Sequence, residues 1–172
     1  MTGTASQHTA TRSTSRSEYS TMVVIHGDLL NAQADAICQQ VNCRNVMGAG
    51  LAKAIYTRWP AVKRLYHNYC ISVGNPYALL GTVQVIKKQG DIPFDVVNIF
   101  GQLNYGRENI CYTNYEALSS AFKKINREYY GKTVGFPYMF ACGLAGGDWA
   151  VVQKLMQEYL RNVRVGIYRK GE

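Results

Sequence analysis

Short runs of Val, Ile and Phe, separated by polar or glycine-containing segments, recur along the chain from Met22 onward. Apolar runs of this length, bounded by turn-forming residues, are typical of β-strands. The pattern therefore predicts six strands, at Met22 to His26, Ala36 to Val41, Thr82 to Ile86, Asp95 to Phe100, Thr133 to Phe136 and Val163 to Tyr168.

The segments between these strands carry a helical pattern. Leu118, Ala121, Phe122 and Ile125 recur at three- and four-residue steps, as on a helix that covers one face of a sheet. This pattern lies in a helix predicted for Asn114 to about Tyr130. Other helices are predicted for Leu51 to Arg58, from Pro60 onward, and for Trp149 to about Leu160. Strands that alternate with helices predict an α/β sandwich.

Length and composition limit the class of protein. The 172 residues are 47% hydrophobic and 17% charged, with no apolar run long enough to span a membrane. This predicts a soluble protein with one folded domain, residues 21–172. Residues 1–20 are rich in Ser and Thr and carry no apolar helical face, so we expect a disordered tail.

Charge and cysteine content suggest partners and compartment. The net charge of +8 favours polyanionic partners such as nucleotides or nucleic acid. The five cysteines include no C-x-x-C motif and have no histidines at ligand spacing, which favours a reducing cytoplasm and argues against a metal site. We expect no cofactor, no metal and no membrane association.

Two glycine-containing loops each join a predicted strand to a predicted helix. The first covers residues 41–50 and the second residues 141–149. Small residues at such positions let backbone N–H groups close on an anion, and two such loops favour a diphosphate between them. Asp28 follows the first strand, where its carboxylate could accept from an adenine amine or cap a turn.

Two common nucleotide-binding motifs are absent. Lys53 replaces the third glycine of a dinucleotide fingerprint after Gly48-Ala49-Gly50, and no acidic residue follows at the required distance. A G-x-x-x-x-G-K-[ST] loop is also missing, so neither a standard Rossmann domain nor a P-loop nucleoside triphosphatase is predicted.

From about Val23 to Tyr168 the motifs together resemble those of a macrodomain, the ADP-ribose-binding module. They are Gly27-Asp28-Leu29, Gln40-Val41-Asn42-Cys43, Met47 to Ala54, Asn98 to Gln102, Tyr112 to Leu118 and Gly143 to Trp149. The resemblance implies a three-layer α/β/α sandwich around a mixed, mostly parallel sheet of about six strands. It is nearest to the branch that holds ADP-ribose-1″-phosphate phosphatases and ADP-ribosyl glycohydrolases.

The resemblance also implies roles for residues. Asp28 would bind the adenine amine with Tyr168 nearby, the first loop would wrap the distal ribose, and the late glycines would cradle the diphosphate. The implied ligand-binding set is Asp28, Leu29, Asn42, Met47, Gly48, Ala49, Gly50, Leu51, Ala52, Phe100, Gln102, Gly143, Leu144, Ala145, Gly146, Gly147 and Tyr168.

Departures from the family weaken the catalytic assignment. Gln102 stands where the glycohydrolases carry a catalytic lysine, and an amide cannot form the covalent sugar adduct that an amine forms. Gln39 stands where phosphatase-like members carry a histidine, and Leu51-Ala52 where the deacylating members carry an aspartate. The catalytic set is therefore Asp148 as base, with Gln39 or Asn42 positioning water or substrate; Asp148 as a helix N-cap is an equal alternative.

These features predict a monomer that binds ADP-ribose and hydrolyses an ADP-ribosyl derivative, either ADP-ribose-1″-phosphate or an adduct on protein or nucleic acid. One alternative is a non-catalytic reader of ADP-ribosylated partners. Another is a basic nucleic-acid-binding module in which Tyr105, Tyr112 and Tyr115 stack on bases.

Overall fold

A computed structural model describes residues 22–171, so the predicted tail, residues 1–20, lies outside the described residues. The strands are β1 Met22–His26, β2 Ala36–Asn42, β3 Val83–Ile86, β4 Asp95–Gln102, β5 Thr133–Pro137 and β6 Arg164–Arg169. The helices are α1 Gly50–Arg58, α2 Pro60–Val73, α3 Pro76–Leu79, α4 Tyr115–Glu128 and α5 Trp149–Tyr159. Each predicted strand and helix is confirmed, with small differences in its ends.

The strands form one six-stranded sheet in the order β1-β6-β5-β2-β4-β3. All neighbouring pairs are parallel except β3 and β4, which are antiparallel. The predicted mixed, mostly parallel sheet is therefore confirmed. Parallel strands must be joined by crossovers, and here the helices supply most of them.

Helices cover both faces of the sheet, because neighbouring strand residues point to opposite sides. Cys38 is buried with Leu118 and Met156, which lie on α4 and α5. Its neighbour Ile37 is buried on the other face with Ile55 of α1 and with Trp59, which joins α1 to α2. The three-layer α/β/α arrangement expected from the family resemblance is confirmed.

The structure contains two short elements, of which the sequence indicated only the second, through the alternative that Asp28 caps a turn. One is the single-turn helix α3, where the side chain of Asn75 accepts from the N–H of Tyr77. The other is a 3-10 turn, Leu29–Asn31, which Asp28 caps by accepting from the N–H of Leu30 at 2.9 Å. Elements this short show no periodicity, so only their caps could have revealed them.

A row of amide side chains crosses the sheet beneath α2. Gln39 donates to Asn98 at 2.8 Å, Asn98 donates to Gln84 at 3.0 Å, and Gln84 donates to the carbonyl of Leu65 at 3.0 Å. This row fixes α2 against β2, β4 and β3 in an otherwise apolar layer. It leaves Gln39 Oε1 buried without a partner among residues 22–171.

A cavity of about 270 Å³ lies at the edge of the sheet where β2, β4 and β5 begin. Its lining includes Asp35, Asp95, Tyr129 and Lys132. Burial alone would raise the pKa of Asp95, but the Lys88 N–H, the Tyr129 hydroxyl and the Lys87 ammonium outweigh burial and lower it. The two glycine loops lie at the opposite edge and contribute nothing to this cavity.

No helix within residues 22–171 is both long and apolar enough to cross a lipid bilayer.

Candidate functional site

The candidate site lies where the parallel strands end. Since β1, β6, β5, β2 and β4 all run in one direction, the segments that follow them meet at one edge of the sheet. In the order of the strands, this edge carries Asp28 after β1 and Tyr168 near the end of β6. Next come the second glycine loop after β5, here called the late loop (residues 141–148), and the first glycine loop after β2, here called the first loop (residues 43–49). Gln102, the last residue of β4, follows them. From β1 to β2 there are three inter-strand steps, about 14 Å at the usual spacing.

Asn42 shapes the first loop from within. Its Oδ1 accepts from the N–H of Arg44 at 3.0 Å and of Val46 at 3.4 Å, and its Nδ2 donates to the Val46 carbonyl at 2.7 Å. The hydroxyl of Tyr66 donates to the Asn42 carbonyl at 2.8 Å, and burial raises the pKa of Tyr66, so this donor stays protonated. The Asn42 amide is thus largely used inside the loop, and its ligand-binding and water-positioning roles remain predictions.

The first loop presents a row of unused backbone donors. The N–H groups of Met47, Gly48 and Ala49 have no acceptor within residues 22–171. Ala49, the N-cap of α1, provides no side-chain cap, so the N–H groups of the first helical turn are also free. Free amides at a helix N-terminus attract an anion, and Gly48 has open space where a side chain would be.

The late loop presents a second row of donors. The N–H groups of Gly143, Leu144 and Ala145 have no acceptor within residues 22–171, and open space surrounds the Cα of Gly143. Successive free amides of this kind form an anion-binding concavity. Because β5 and β2 are parallel neighbours in the sheet, the two rows belong to loops that follow adjacent strands at the same edge.

Gly146 and Gly147 close the late loop, and their role in ligand binding remains a prediction. Gly146 has φ +72°, and a Cβ there would lie 2.5 Å from the carbonyl oxygen of Ile110. A Cβ on Gly147 would lie 2.5 Å from the carbonyl oxygen of Ala141. The fold itself therefore requires these two glycines, whereas Gly143 is free to serve a ligand.

The adenine end holds Asp28 and Tyr168. One carboxylate oxygen of Asp28 accepts from the N–H of Leu30, and the other lies 3.4 Å from the ammonium of the exposed Lys170. Within residues 22–171, Lys170 is the one cation that an amine approaching this second oxygen would displace. Tyr168 is 9% exposed and packs with Leu29 and Leu30, so its ring contributes to the core beside Asp28.

Several of the predicted site residues are buried. Leu29, Met47 and Phe100 are buried, and Gln39 is only 1% exposed in the amide row described above. A ligand role for these residues, and catalysis by Gln39, remain predictions. Ala49, Gly50, Leu51 and Ala52 lie at the start of α1, where their backbone faces the edge.

Asp148 is the N-cap of α5, where its Oδ1 accepts from the N–H of Ala150 at 2.9 Å. Its other carboxylate oxygen has no partner within residues 22–171 and the residue is exposed. Its own N–H donates to the hydroxyl of Tyr115 at 2.9 Å. The capping alternative is therefore observed, and the unused oxygen remains available as a base.

Cys142, which lies in the late loop, is poorly suited to act as a nucleophile. Burial, together with the nearby Asp148 and Cys111, raises the pKa of Cys142 to about 11. The thiol is therefore protonated at neutral pH and a weak nucleophile. Residues 22–171 contain no cluster of His, Cys, Asp and Glu that could hold a metal ion.

Gln40 and Thr113 belong to the site but had no role predicted from the sequence. Gln40 Nε2 donates to Gln102 Oε1 at 2.9 Å and to the Thr113 hydroxyl at 3.1 Å, and Thr113 donates to the Ala141 carbonyl at 2.7 Å. The available signal was strand alternation, which places Gln40 on the opposite face from Gln39. The sequence offered no indication of Thr113, because it pairs with residues far along the chain.

No protein-family model matches the sequence. The chain is 30% identical over 79 residues to an ADP-ribose 1″-phosphate phosphatase of Scheffersomyces stipitis, an alignment that covers 42% of this chain and 46% of the relative. The chain therefore spans less than half the length of this relative.

Solved structures match nearly the whole described chain. The macrodomain of Mycobacterium tuberculosis DarG matches with TM-score 0.69 and 24% identity, over 88% of this chain and 99% of that one. Thermosipho africanus DarTG in complex with ADP-ribose matches with TM-score 0.74 and 19% identity, over 88% of this chain and 42% of that one. At these identities the likeness concerns the fold, and it confirms the family resemblance at that level.

Substitutions at two glycines of the late loop should separate fold from site. Gly146→Ala should lower the free energy of unfolding by about 1 to 3 kcal/mol or more, because it combines left-handed strain with a backbone clash. Gly143→Ala should change it by less than about 0.5 kcal/mol, because the added methyl meets open space. Urea unfolding measures both; equal effects would contradict the division of roles.

Proposed function

We propose that this chain, which has the macrodomain fold, binds ADP-ribose along the edge formed by the strand ends and hydrolyses an ADP-ribosyl derivative. The observation that carries the proposal is the order of groups across that edge. A carboxylate comes first, then two rows of free amides, then the polar cluster of Gln102. An adenine amine, a diphosphate and a distal ribose follow one another in ADP-ribose in the same order.

Neutral backbone donors suit the diphosphate. The free N–H groups of residues 47–49 and 143–145 could share its oxygens, and the N-terminus of α1 adds a favourable dipole. The N-terminus of α5 contributes less, because Asp148 already caps it. Binding would therefore depend on loop shape more than on lysine or arginine.

The proposed reaction is direct attack by water, either on the anomeric carbon, which breaks its bond to the oxygen or nitrogen of the adduct, or on phosphorus, which breaks the P–O bond to ADP-ribose. The proton removed from water is passed on to the departing oxygen or nitrogen. The unused carboxylate oxygen of Asp148 would take the proton from water, while Asn42 and Gln102 orient the distal ribose. A carboxylate exposed to solvent is a weak base, so turnover should be slow. ADP-ribose-1″-phosphate and ADP-ribosyl adducts on protein or nucleic acid are the substrate classes that we propose.

A non-catalytic reader would use the same groups, and only turnover distinguishes it from a hydrolase. The nucleic-acid-binding alternative has less support. The Tyr112 hydroxyl donates to Glu108, and the Tyr115 hydroxyl accepts from the N–H of Asp148. Of the three tyrosines proposed to stack on bases, Tyr105 alone is exposed. Steep salt dependence without competition by ADP-ribose would favour that alternative.

We further propose that the protein acts as a monomer in the cytoplasm. The five cysteines are all unpaired, and Cys38, Cys43 and Cys70 are buried, which suits a reducing compartment. No cofactor or metal enters the proposed reaction.

Asp28→Asn tests recognition of adenine. We expect free ADP-ribose to bind the wild type with micromolar or tighter affinity, about 8 kcal/mol. Asparagine still caps the 3-10 turn, but it replaces a charged acceptor by a neutral amide, so binding should weaken by about 1 to 3 kcal/mol. Isothermal calorimetry measures the change, and equal affinity would remove Asp28 from the site.

Gly143→Glu tests the diphosphate position. The substitution places bulk and negative charge beside the free amides of the late loop, so ADP-ribose binding should be lost. Gly143→Ala is the matched control. Its affinity for ADP-ribose should be within about threefold of wild type, which corresponds to a change in binding free energy of less than about 0.7 kcal/mol. Normal binding by a folded Gly143→Glu protein would show that the diphosphate lies elsewhere.

Asp148→Asn tests the proposed base without loss of the helix cap, because Asn caps a helix as well as Asp. Turnover of ADP-ribose-1″-phosphate should fall by about 10²-fold or more, with binding nearly unchanged. Activity is followed by phosphate release, and ADP-ribosylated DNA and protein are assayed in parallel. Full activity in the variant would show that Asp148 is not the base. A covalent adduct trapped from the wild type would refute direct attack by water. If the wild type turns over no substrate, the non-catalytic reader is favoured.

A further inference from the structure

Three strand ends of the candidate site meet at one side chain, Gln40 near the end of β2. Its Nε2 donates to Gln102 Oε1 on β4 at 2.9 Å and to the hydroxyl of Thr113 at 3.1 Å. Thr113 in turn donates to the Ala141 carbonyl at the start of the late loop, at 2.7 Å. One amide group therefore connects β2, β4 and the segment after β5.

The direction of each hydrogen bond in this cluster is fixed by its neighbours. Gln102 Nε2 donates to the Asn104 carbonyl at 2.8 Å, so Gln102 can only present its oxygen to Gln40. The Thr113 hydroxyl uses its proton on Ala141, so it can only accept from Gln40. Gln40 must supply both protons, and this orientation leaves its own oxygen buried with no donor within residues 22–171.

The fold makes room for this arrangement. A Cβ on Gly101 would lie 2.3 Å from Gln40 Oε1, so only glycine permits the amide to occupy its place. An unpaired buried acceptor is destabilising by itself. The amide of Gln40 therefore contributes through its two donated bonds and not through its oxygen.

The acceptor at the far end of the cluster lies in strained backbone. Ala141 has φ 65°, in the left-handed region that residues with a side chain rarely adopt. Its carbonyl accepts both the Thr113 hydroxyl and the N–H of Gly147, at 2.9 Å, and the latter bond closes the late loop. These two donors fix the start of the late loop, while the N–H groups of Tyr112 and Thr113 hold its far end through the Ala145 carbonyl, at 2.7 Å and 3.1 Å.

We propose that Gln40 is a positioning residue that sets the late loop against the first loop, acting through Thr113 on the Ala141 carbonyl. The same amide fixes the orientation of Gln102 beside the distal end of the ligand. The proposal rests on the proposed function for its link to ADP-ribose, but its effect on the late loop is independent of any ligand.

The test compares Gln40→Met, Thr113→Val and the double variant, with Thr113→Ser retaining the hydroxyl. Each of the first two should weaken ADP-ribose binding about tenfold, and the double variant should fall well short of the roughly hundredfold loss that independent effects would give, because both changes break the link between Gln40 and Thr113. Thr113→Ser should stay within about twofold of wild type. Calorimetry gives all four affinities.

Hydrogen exchange of the Gly147 N–H provides a second measurement that needs no ligand. Exchange should be about tenfold faster in Gln40→Met and Thr113→Val, because the acceptor of that N–H loses its restraint. Asn126→Ala is the matched control, since it removes an amide pair with Asn162 that lies away from this edge, and it should leave Gly147 unchanged.

The outcomes are distinct. Wild-type affinity and wild-type Gly147 exchange in Gln40→Met would overturn the proposal, as would additive losses in the double variant. If the wild type fails to bind ADP-ribose, the proposed function fails and hydrogen exchange alone decides the role of Gln40. If Gln40→Met does not fold, the contrast between Thr113→Val and Thr113→Ser decides it, and equal exchange in those two overturns it.

Discussion

The parallel order of β1, β6, β5 and β2 is the constraint on which the candidate site depends. Parallel pairing sends the carboxyl end of each strand to one edge, so segments as distant in sequence as residues 28, 47 and 143 become neighbours in space. Reversing one of these strands would move its loop to the opposite edge, where the cavity near Asp95 and Tyr129 lies. The order of the strands thus becomes the order of the groups that a linear ligand would meet.

At this edge the carboxylates cap backbone, and the free backbone amides remain available to an anion. Asp28 caps the 3-10 turn and Asp148 caps α5, so each has one oxygen committed to the fold. The backbone N–H groups of residues 47–49 and 143–145 donate to no acceptor in the part of the chain that the structure describes. The free amides favour tight binding of an anion. Slow catalysis is expected, because Gln39 and Gln102 are amides, which neither act as nucleophiles nor accept a proton.

Much of the fold could be predicted because its signals are local. The apolar runs of the six strands and the spacing of Leu118, Phe122 and Ile125 depend on neighbouring residues alone. The helix α3 was missed because four residues carry no period, and the turn after Asp28 was anticipated only through the capping alternative for that residue. The sequence indicated that both glycine loops exist, but not which of their glycines the fold requires. Gly146 and Gly147 are required because the carbonyl oxygens of Ile110 and Ala141 lie where their Cβ atoms would be.

The polar interior was the least predictable part, since Gln39 and Gln40 look alike in sequence but face opposite layers. The network of Gln40, Gln102 and Thr113 joins residues 62 and 73 positions apart, and no local pattern reports such pairs. The catalytic assignment to Gln39 came from the family resemblance, and the structure places that residue in the row with Asn98.

Backbone amide NMR with stepwise addition of ligand tests the central claim most directly. Adenosine should shift the amides near Asp28 and Tyr168 only, and ADP-ribose should in addition shift those of Gly143 to Ala145 and of Gly48 to Ala52. Such a progression would show that the ligand lies along the edge in the order of the strands. Shifts by ADP-ribose confined to the residues of the opposite cavity, or absent from both loops, would contradict the account.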